Sequence, residues 1–281
     1  MNLRQALAHA RGILTDSNIE DVSLEGEILL RHVLGMNRSQ LYSNLDTYLS
    51  PEKEKSLYEL LDRRHQGEPS AYITGHREFY GLDFQVDRNV LIPRPESELL
   101  VELAIRLVRS QAIFSIADIG TGCGAIAISL AVNLPQVTVY ATDISPTALE
   151  VARLNCLRYG VADRVVLLQG DLLEPLTGPT DMIVANLPYV READLPRSGP
   201  LGFEPALALD GGKDGLDKIK SLCCQAGGKL KKGGCLLLEI GEGQAKAVSA
   251  ILREVFPAAT IEVHQDLAGL ERVVSLYLTQ L

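Results

Sequence analysis

The sequence is short of the residues that build disulfide frameworks and metal sites. Among its 281 residues are only five cysteines and five histidines. An odd number of cysteines without C-x-x-C spacing argues against paired disulfides and against a zinc site. No histidine is spaced to an acid or a cysteine in the way that metal ligands are. We therefore expect reduced thiols and no bound metal.

Basic charge is also scarce, and long apolar runs are missing. The formal net charge is −9 and the sequence pI is about 5.1, which argues against a protein that mainly holds nucleic acid, although a local basic patch stays open. No uncharged apolar run approaches the roughly 18 residues of a membrane helix, and no signal peptide is visible. We expect a cytoplasmic monomer without direct contact to nucleic acid or membrane.

Hydrophobic residues make up 46% of the chain, which is enough for the core of one large domain or two modest ones. A first domain, residues 1–71, is predicted to be helical. Apolar residues recur there at helical spacing, beginning with Leu3, Ala6, Leu7, Ala10 and Leu14. Ser23 is predicted to cap a second helix that ends at Gly35, and Ser50-Pro51 to start a third that runs to about Gln66.

The residues that follow change character. Residues 72–95 are predicted to form a β-hairpin linker, because aromatic and β-branched residues alternate with polar ones around Gly81. An amphipathic helix to about Arg109 then opens the second domain, residues 96–281. Strands are predicted in this domain at 114–119, 137–142, 165–169, 181–185, 234–240, 259–264 and 272–279.

Helices fit between most of these strands. Alternation of this kind predicts an α/β fold with a doubly wound, mostly parallel, seven-stranded sheet of Rossmann-like type. Such a sheet binds its ligand at the carboxyl ends of the strands. The last two strands leave no room for a helix between them, so we expect them to pair antiparallel.

A glycine-rich loop follows the first strand of this domain, in the segment IADIGTGCGAIAISLA. Gly120, Gly122 and Gly124 permit a tight turn and a close approach of the backbone to a ligand. Their G-x-G-x-G spacing departs from the dinucleotide fingerprint, in which the third glycine falls one residue later, and the loop lacks the lysine of a phosphate-binding P-loop. It indicates a nucleotide-like ligand, with a plain tight turn as the alternative.

Acidic residues follow the next two strands. Asp143 stands about 20 residues beyond the loop, where a carboxylate can accept hydrogen bonds from both hydroxyls of a ribose. Its alternative role is to cap the next helix, for which Ser145 is better suited. Asp171 is expected to hold an adenine amino group, and Leu172 to pack on the ring. These features describe a nucleoside without a phosphate cradle, and S-adenosylmethionine fits because its sulfonium centre needs no anion site.

The fourth strand ends in ANLPY, residues 185–189. The side chain of Asn186 offers one acceptor oxygen and two donors. Its oxygen can accept one hydrogen of a planar –NH2 group while the carbonyl of Leu187 accepts the other, which steers the nitrogen lone pair toward a methyl group. Tyr189 can stack on a flat substrate group. The alternative is an Asn-x-Pro turn that satisfies its own backbone.

Several motifs together resemble a known family. NLPY resembles the N-P-P-Y signature of methyltransferases that modify planar amide or amine nitrogens, and DIGTGCGAIAI and ATDIS resemble the matching cofactor motifs. REFYGLDFQVDRNVLIPRPESE, FEPALALDGGKDGL and LLLEIGEGQ resemble the linker, the loop after the signature and the fifth strand of the peptide-chain release factor glutamine methyltransferases, the PrmC/HemK family. The resemblance covers nearly the whole chain, including that family's helical substrate-recognition domain.

This resemblance implies a class I S-adenosylmethionine-dependent methyltransferase. The implied reaction is methyl transfer to the side-chain amide nitrogen (N5) of the glutamine in the Gly-Gly-Gln motif of class-1 release factors. By motif match, the cofactor is bound by Gly120, Thr121, Gly122, Cys123, Gly124, Asp143, Asp171, Leu172 and Asn186. The glutamine is held, and its methylation catalysed, by Asn186, Leu187, Pro188 and Tyr189.

Leucine stands at position 187, where the family usually has proline. The group needed there is a backbone carbonyl, and Pro188 holds the residue before it extended, so the departure bears on the rigidity of the pocket more than on the reaction type. Three alternatives stay open: a glutamine methyltransferase acting on a ribosomal protein, an adenine amino-methyltransferase acting on DNA, and a module that binds the cofactor without transferring methyl. The acidic charge and the lack of an obvious basic insert argue against the DNA enzyme.

Overall fold

The computed structural model describes residues 1–15, 19, 21–195 and 200–279. They divide into two compact units, one built on Met1–His76 with residues 200–203 and the other on Arg77–Leu195 with residues 204–279. Short 3-10 helices occur at Pro95–Ser97, Glu192–Asp194 and Pro200–Phe203. None of the helices in these described ranges is long and apolar enough to cross a membrane.

The first unit is helical, as predicted. Its helices are α1 (Leu3–Leu14), α2 (Val22–Leu34), α3 (Arg38–Ser43), α4 (Pro51–His65) and α5 (Ser70–Thr74). The apolar stripe of α1 enters the core of this unit, where it packs with apolar residues of α2, α3 and α4. Burial of this stripe, rather than intrinsic propensity, supplies most of the stability of such short helices.

Two helix ends agree with the sequence prediction, and one does not. Ser50 caps α4 by accepting a hydrogen bond from the Lys53 N–H at 3.3 Å, and Gly35 ends α2 with a φ of 66°. The predicted cap at Ser23 is wrong, because α2 begins two residues earlier than predicted and Asp21 accepts the bond from the Leu24 N–H at 2.9 Å. A carboxylate at this position also interacts favourably with the helix dipole.

The β-hairpin is present but shorter than predicted. Strands β1 (His76–Phe79) and β2 (Leu82–Gln85) form a two-stranded sheet. Tyr80 and Gly81 connect them at φ values of 50° and 71°, as a two-residue hairpin turn requires. Residues 72–74 are helical instead, because the N–H groups of α5 bond to the carbonyl of Pro69.

The second unit carries the sheet. After α6 (Glu98–Ser110), its strands are β3 (Ser115–Ile119), β4 (Thr138–Asp143), β5 (Val165–Gln169), β6 (Thr180–Ala185), β7 (Leu230–Glu239), β8 (Thr260–Gln265) and β9 (Glu271–Tyr277). The helices between them are α7 (Ala125–Asn133), α8 (Pro146–Arg158), α9 (Ala206–Leu209), α10 (Asp217–Ala226) and α11 (Ala245–Val255). The predicted fold class is confirmed.

The strand order is β5-β4-β3-β6-β7-β9-β8. The pairs from β5 to β7 are parallel, and β9 runs antiparallel to both neighbours, which confirms the predicted antiparallel pair. The chain moves from β3 outward to β4 and then returns to the other side of β3 at β6. The strand order therefore reverses at β3 and β6, where a doubly wound sheet opens a crevice for its ligand.

Within the second unit, strand β2 of the hairpin is held against α8. The buried side chain of Asn155 accepts a hydrogen bond from the Gln85 N–H at 2.9 Å and donates to the carbonyls of Gln85 and Cys123 at 3.0 and 2.9 Å. The hydroxyl of Tyr159 accepts a bond from the Asp83 N–H at 2.6 Å. One asparagine thus ties the end of β2 to the loop that follows β3.

Candidate active site

A pocket opens at the carboxyl ends of β3, β4, β5 and β6. Eight of the predicted site residues line it: Gly120, Gly122, Asp143, Asp171, Leu172, Asn186, Leu187 and Pro188. Thr121, Cys123, Gly124 and Tyr189 are not among the described residues that line it. The pocket is completed by segments that sequence reasoning did not assign to it, including Val90, Leu207 and Lys218.

The glycine loop turns back over the end of β4. The N–H groups of Gly120 and Thr121 both donate to the carbonyl of Thr142 at 2.9 Å. Gly120 has a φ of 72°, and a Cβ built there would come within 3.4 Å of the Leu187 side chain. At Gly124, with a φ of 84°, a Cβ would lie 2.9 Å from Ile128. Gly124 therefore serves the turn into α7 through its positive φ, and it is not among the described residues that line the pocket.

Behind the loop lies a buried carboxylate that the sequence prediction missed. Asp118 is 1% exposed and accepts hydrogen bonds from the Thr121 hydroxyl at 2.7 Å and the Ala127 N–H at 3.1 Å. Burial raises the pKa of Asp118 to about 7. Burial also raises the pKa of the Cys123 thiol to about 12, so this cysteine is a poor nucleophile. Thr121 and Cys123 support the loop from inside.

Asp143 stands at the end of β4 with one oxygen on each side of the turn. Its Oδ2 accepts the Gly122 N–H and its Oδ1 the Ser145 N–H, both at 2.9 Å. The cap of α8 is Ser145, whose hydroxyl accepts the Ala148 N–H at 3.2 Å. Burial raises the pKa of Asp143 from its ordinary value, against these backbone bonds. Each carboxylate oxygen retains acceptor capacity in a side chain that lines the pocket.

The next strand end places Asp171 and Leu172 side by side. The carboxylate of Asp171 makes no hydrogen bond within the described parts of the chain and remains available to a ligand donor. Leu172 has a φ of 51°, a conformation that costs a side chain with a Cβ about 1–2 kcal/mol. The Thr142 hydroxyl bonds to the Leu172 carbonyl at 2.9 Å and holds this turn. The strained turn presents an apolar side chain to the pocket.

The amide of Asn186 is oriented by a residue 89 positions away. Its Nδ2 donates to the hydroxyl of Ser97 at 2.9 Å, whereas its Oδ1 has no donor among the residues the structure describes. A self-satisfied Asn-x-Pro turn would instead use the amide on its own loop. The arrangement leaves an acceptor oxygen at the pocket.

The rest of the signature is divided between the pocket and the interior. Leu187 is buried and packs beneath Gly120, and Pro188 lines the pocket. Tyr189 points elsewhere: its hydroxyl donates to Glu239 Oε1 at 3.4 Å, and its carbonyl accepts the Gln244 side chain at 3.1 Å. Burial raises the pKa of Tyr189 to about 12 and that of Glu239 to about 7.

The loop after the signature is packed against it. A Cβ at Gly211 would lie 2.8 Å from the Pro188 carbonyl, and one at Gly215 would lie 2.4 Å from the Tyr189 carbonyl. The side chain of Glu204, which is 1% exposed, forms an ion pair with Arg94 and accepts the Ile92 N–H at 3.3 Å. This ion pair links the segment before α6 to the loop.

The donor set fits a nucleoside with a cationic sulfur better than a polyphosphate or a metal. The glycine loop holds no lysine or arginine, and a carboxylate stands where a ribose would need acceptors. The described ranges contain no group of three or more potential metal ligands. The residues present therefore fit S-adenosylmethionine.

Two family models match this chain. The PrmC N-terminal domain matches residues 5–75, and the methyltransferase small domain matches residues 97–197. A solved 16S rRNA N2 G1207 methyltransferase of T. thermophilus, in complex with AdoMet and guanosine, has a TM-score of 0.54 at 19% identity. The match covers 72% of this chain and 49% of that chain, and it supports the fold alone. The strand order of the sheet, the glycine loop after β3 and Asp143 at the end of β4 together define a methyltransferase of the class I fold.

Curated relatives show which family within the class I methyltransferases this chain resembles. The release factor glutamine methyltransferase of Moorella thermoacetica is 45% identical over 279 residues, which are 99% of this chain and 99% of the relative. That of Geobacter sulfurreducens is 41% identical over 275 residues, 97% of this chain and 95% of the relative. The chain belongs to the release factor glutamine methyltransferase family.

Proposed function

We propose that this protein transfers a methyl group from S-adenosylmethionine to the side-chain amide nitrogen of the glutamine in the Gly-Gly-Gln motif of class-1 peptide-chain release factors. The observation that carries the proposal is the placement of Asn186. Its amide lies in the same pocket as Asp143, its nitrogen is occupied by Ser97, and its oxygen is left for an incoming –NH2 group. The relatives named above are release factor glutamine methyltransferases, which supports this choice of substrate.

The cofactor side of the pocket has the acceptors and the apolar wall that this role needs. Asp143 would accept the ribose hydroxyls, Asp171 the adenine amino group, and Leu172 would pack on the ring. Gly120 and Gly122 would let the backbone approach the ligand, while Thr121, Cys123 and Gly124 would act by holding the loop in shape. When bound, S-adenosylmethionine supplies the methyl group from its sulfonium centre and leaves as S-adenosylhomocysteine.

The signature side has to activate a poor nucleophile, because the lone pair of an amide nitrogen is delocalised into its carbonyl. The Asn186 oxygen and the Leu187 carbonyl would each accept one N–H bond of the glutamine. Two acceptors aimed in this way favour a more pyramidal nitrogen and hold its lone pair in line for attack. The N–C bond would form at the expense of the cofactor's S–C bond, and the surplus proton would then pass from the nitrogen to water, so no strong general base would be needed before attack.

The helical N-terminal region, residues 1–71, is proposed as the part that recognises the release factor, with residues 72–95 as the linker. The match of residues 5–75 to the PrmC N-terminal domain supports this assignment. The protein would then meet its substrate in the cytoplasm. The negative charge of the whole chain favours a protein substrate over a nucleic acid.

The experiment that tests the proposal is incubation of an unmodified class-1 release factor with this protein and S-adenosylmethionine, followed by peptide mass spectrometry. We expect a gain of one methyl group on the Gly-Gly-Gln glutamine. The gain should be lost with Asn186→Ala and kept with Asn133→Ala, since among the described residues the Asn133 side chain bonds only to the carbonyl of Ser129 on its own helix. Cofactor binding without methylation of the release factor would overturn the proposed substrate.

A further inference from the structure

One side-chain amide joins three segments around the NLPY signature. Gln244 lies between β7 and α11, and its Nε2 donates to the carbonyl of Tyr189 at 3.1 Å and to that of Gly215 at 3.4 Å. Its Oε1 accepts the Gly241 N–H at 2.9 Å. The three backbone groups belong to the signature, to the loop after it and to the turn after β7. The amide therefore links parts of the chain that lie up to 55 residues apart.

The position of Gln244 shows that its side chain serves these contacts rather than the helix that follows. Gln244 is the residue before α11, where serine, threonine, aspartate or asparagine normally caps a helix, yet its side chain makes no capping bond. Two glycines leave room for the amide. A Cβ at Gly215 would lie 2.8 Å from Gln244 Nε2, and one at Gly241 would lie 3.1 Å from Gln244 Oε1.

The chemistry of the three partners determines which end of the amide faces which group. A carbonyl oxygen only accepts hydrogen bonds, and a backbone N–H only donates one. A reversed amide would set its oxygen against the carbonyls of Tyr189 and Gly215, and its –NH2 group against the Gly241 N–H. The amide therefore has one satisfied orientation, in which its –NH2 group holds the Tyr189 carbonyl.

This contact bears on the group that the signature presents to the substrate. The Leu187 carbonyl stands two residues before the Tyr189 carbonyl, and Pro188 between them has its φ fixed by its ring. Few free torsions therefore separate the anchored carbonyl from the one that is proposed to accept a substrate N–H bond. We propose that Gln244 is a positioning residue that acts through the Tyr189 carbonyl to hold the Leu187 carbonyl toward the substrate amide. This inference rests on the proposed function, because only there does the Leu187 carbonyl have a role.

The kinetic test uses the nearly isosteric change Gln244→Glu. The introduced carboxylate can still accept the Gly241 N–H, but its second oxygen repels the two carbonyls. At about pH 8, kcat should fall by roughly 10- to 100-fold, as expected for a misplaced reacting group. The dissociation constant of S-adenosylmethionine should change little, because Gln244 is not among the described residues that line the pocket. Gln265→Glu adds the same charge at an exposed position of β8 and is the control that keeps the rate.

Acid pH should partly restore the activity of Gln244→Glu, because a protonated carboxyl can again donate to one carbonyl. The ratio of its kcat to the wild-type kcat should therefore rise as pH falls from about 8 to about 5. Gln244→Ala lacks a donor at every pH and should show no such rise. The ratio removes the titration of groups that both proteins share, including the charged residues that line a cleft with Gln244, namely Arg191, Lys213, Asp214, Asp217 and Lys220. A deficit of Gln244→Glu that does not change with pH would contradict the proposed direction of the hydrogen bonds.

A second readout does not depend on catalysis. Tyr189 and Val190 form the only Tyr-Val pair in the sequence, so labelling with 13C-carbonyl tyrosine and 15N-valine gives one NMR signal that reports the Tyr189 carbonyl. The signal should move in Gln244→Glu and in Gln244→Ala and stay in place in Gln265→Glu. An unmoved signal, or a kcat of Gln244→Glu within about twofold of wild type at about pH 8, would overturn the proposal. If the wild-type protein does not methylate the release factor, the proposed substrate is wrong, and the Tyr189 signal alone decides whether Gln244 holds this carbonyl.

Discussion

The two sides of the pocket are built in different ways. On the cofactor side, the bonds join residues that are closer in sequence: the Thr121 hydroxyl reaches Asp118 three residues away, and the Gly122 N–H reaches Asp143 21 residues away. On the signature side, buried side chains come from distant segments, since Asn186 lies 89 residues from Ser97. A local turn shapes the first side, and tertiary packing shapes the second.

This difference predicts which property a substitution on each side of the pocket will change. Changes on the cofactor side should act on ligand affinity and on the local fold of the loop. Changes on the signature side should leave the ligand bound and misplace the reacting amide. The comparison is tested by measuring two quantities in variants of each side. Variants on the cofactor side should change the affinity for S-adenosylmethionine, and variants on the signature side should change the rate of methyl transfer.

The largest expected effect comes from removing one acceptor on each side. Asn186→Ala should lower kcat for methyl transfer by about 10²–10³-fold, as loss of a preorganised polar group does elsewhere, with little change in the dissociation constant of S-adenosylmethionine. Asp143→Ala should weaken cofactor binding by about 10- to 100-fold, since a hydrogen bond to a charged group contributes about 1.5–3 kcal/mol. Titration calorimetry and single-turnover kinetics measure the two quantities.

Asp143→Asn, which keeps one acceptor oxygen, is the matched control and should fall between wild type and Asp143→Ala in affinity. If Asn186→Ala strongly weakened cofactor binding while the rate of the chemical step at saturating cofactor stayed intact, the division between the two sides would be wrong.

A smaller effect separates two glycines of the same loop. Gly124→Ala should lower the free energy of unfolding by about 2–4 kcal/mol, because a positive φ and a Cβ 2.9 Å from Ile128 combine strain with overpacking. A Cβ at Gly122 would meet no atom of the described residues within 4 Å, so Gly122→Ala should lose only about 1–2 kcal/mol from its backbone conformation. Urea denaturation compares them. Equal losses would mean that the contact with Ile128 is relieved by a small shift of its side chain.

The last expected effect is a pH dependence of the free energy of unfolding that originates behind the loop. The pKa of Asp118 is raised to about 7 in the folded protein from an ordinary value of 3.8. The unfolded chain therefore releases this proton first as pH rises, and the free energy of unfolding should fall between about pH 4 and about pH 7. Asp118→Asn should reduce that fall, so its stability relative to wild type should be better at about pH 8 than at about pH 5. Denaturation at the two pH values measures this, and Asp163→Asn, at an exposed site, is the control. An identical change in stability for Asp118→Asn at both values would argue against a buried, titrating carboxyl.

The contrast between the two sides of the pocket also explains which features could be predicted from the sequence. Periodicity located all seven strands of the large sheet and the antiparallel final pair, with the main discrepancy at β7, which begins at Leu230 instead of residue 234. The glycine loop and Asp143 were recognisable because turn chemistry and strand ends are local features. Ser97, Glu239 and the Glu204–Arg94 pair were not, because a serine or a glutamate in a helical or strand segment carries no local sign of its distant partner.

Errors at element ends have a similar origin. Ser23 and Asp21 are both good capping residues in sequence, and only the bond from the Leu24 N–H selects Asp21. Residues 72–74 alternate as a strand would, yet the Pro69 carbonyl organises them as a helical turn. The position of Tyr189 outside the pocket could not be read from the signature either, because its direction is set by Glu239 and Gln244.

The left-handed backbone at Leu172 has a consequence for attempts to engineer this protein. Glycine or asparagine would relax the turn, and a selection for thermal resistance alone would favour them there. Either replacement would also remove the apolar wall that Leu172 contributes to the pocket. A variant improved for heat tolerance at this position is therefore expected to be a poorer catalyst. Thermal stability and catalytic activity thus make opposite demands on this residue.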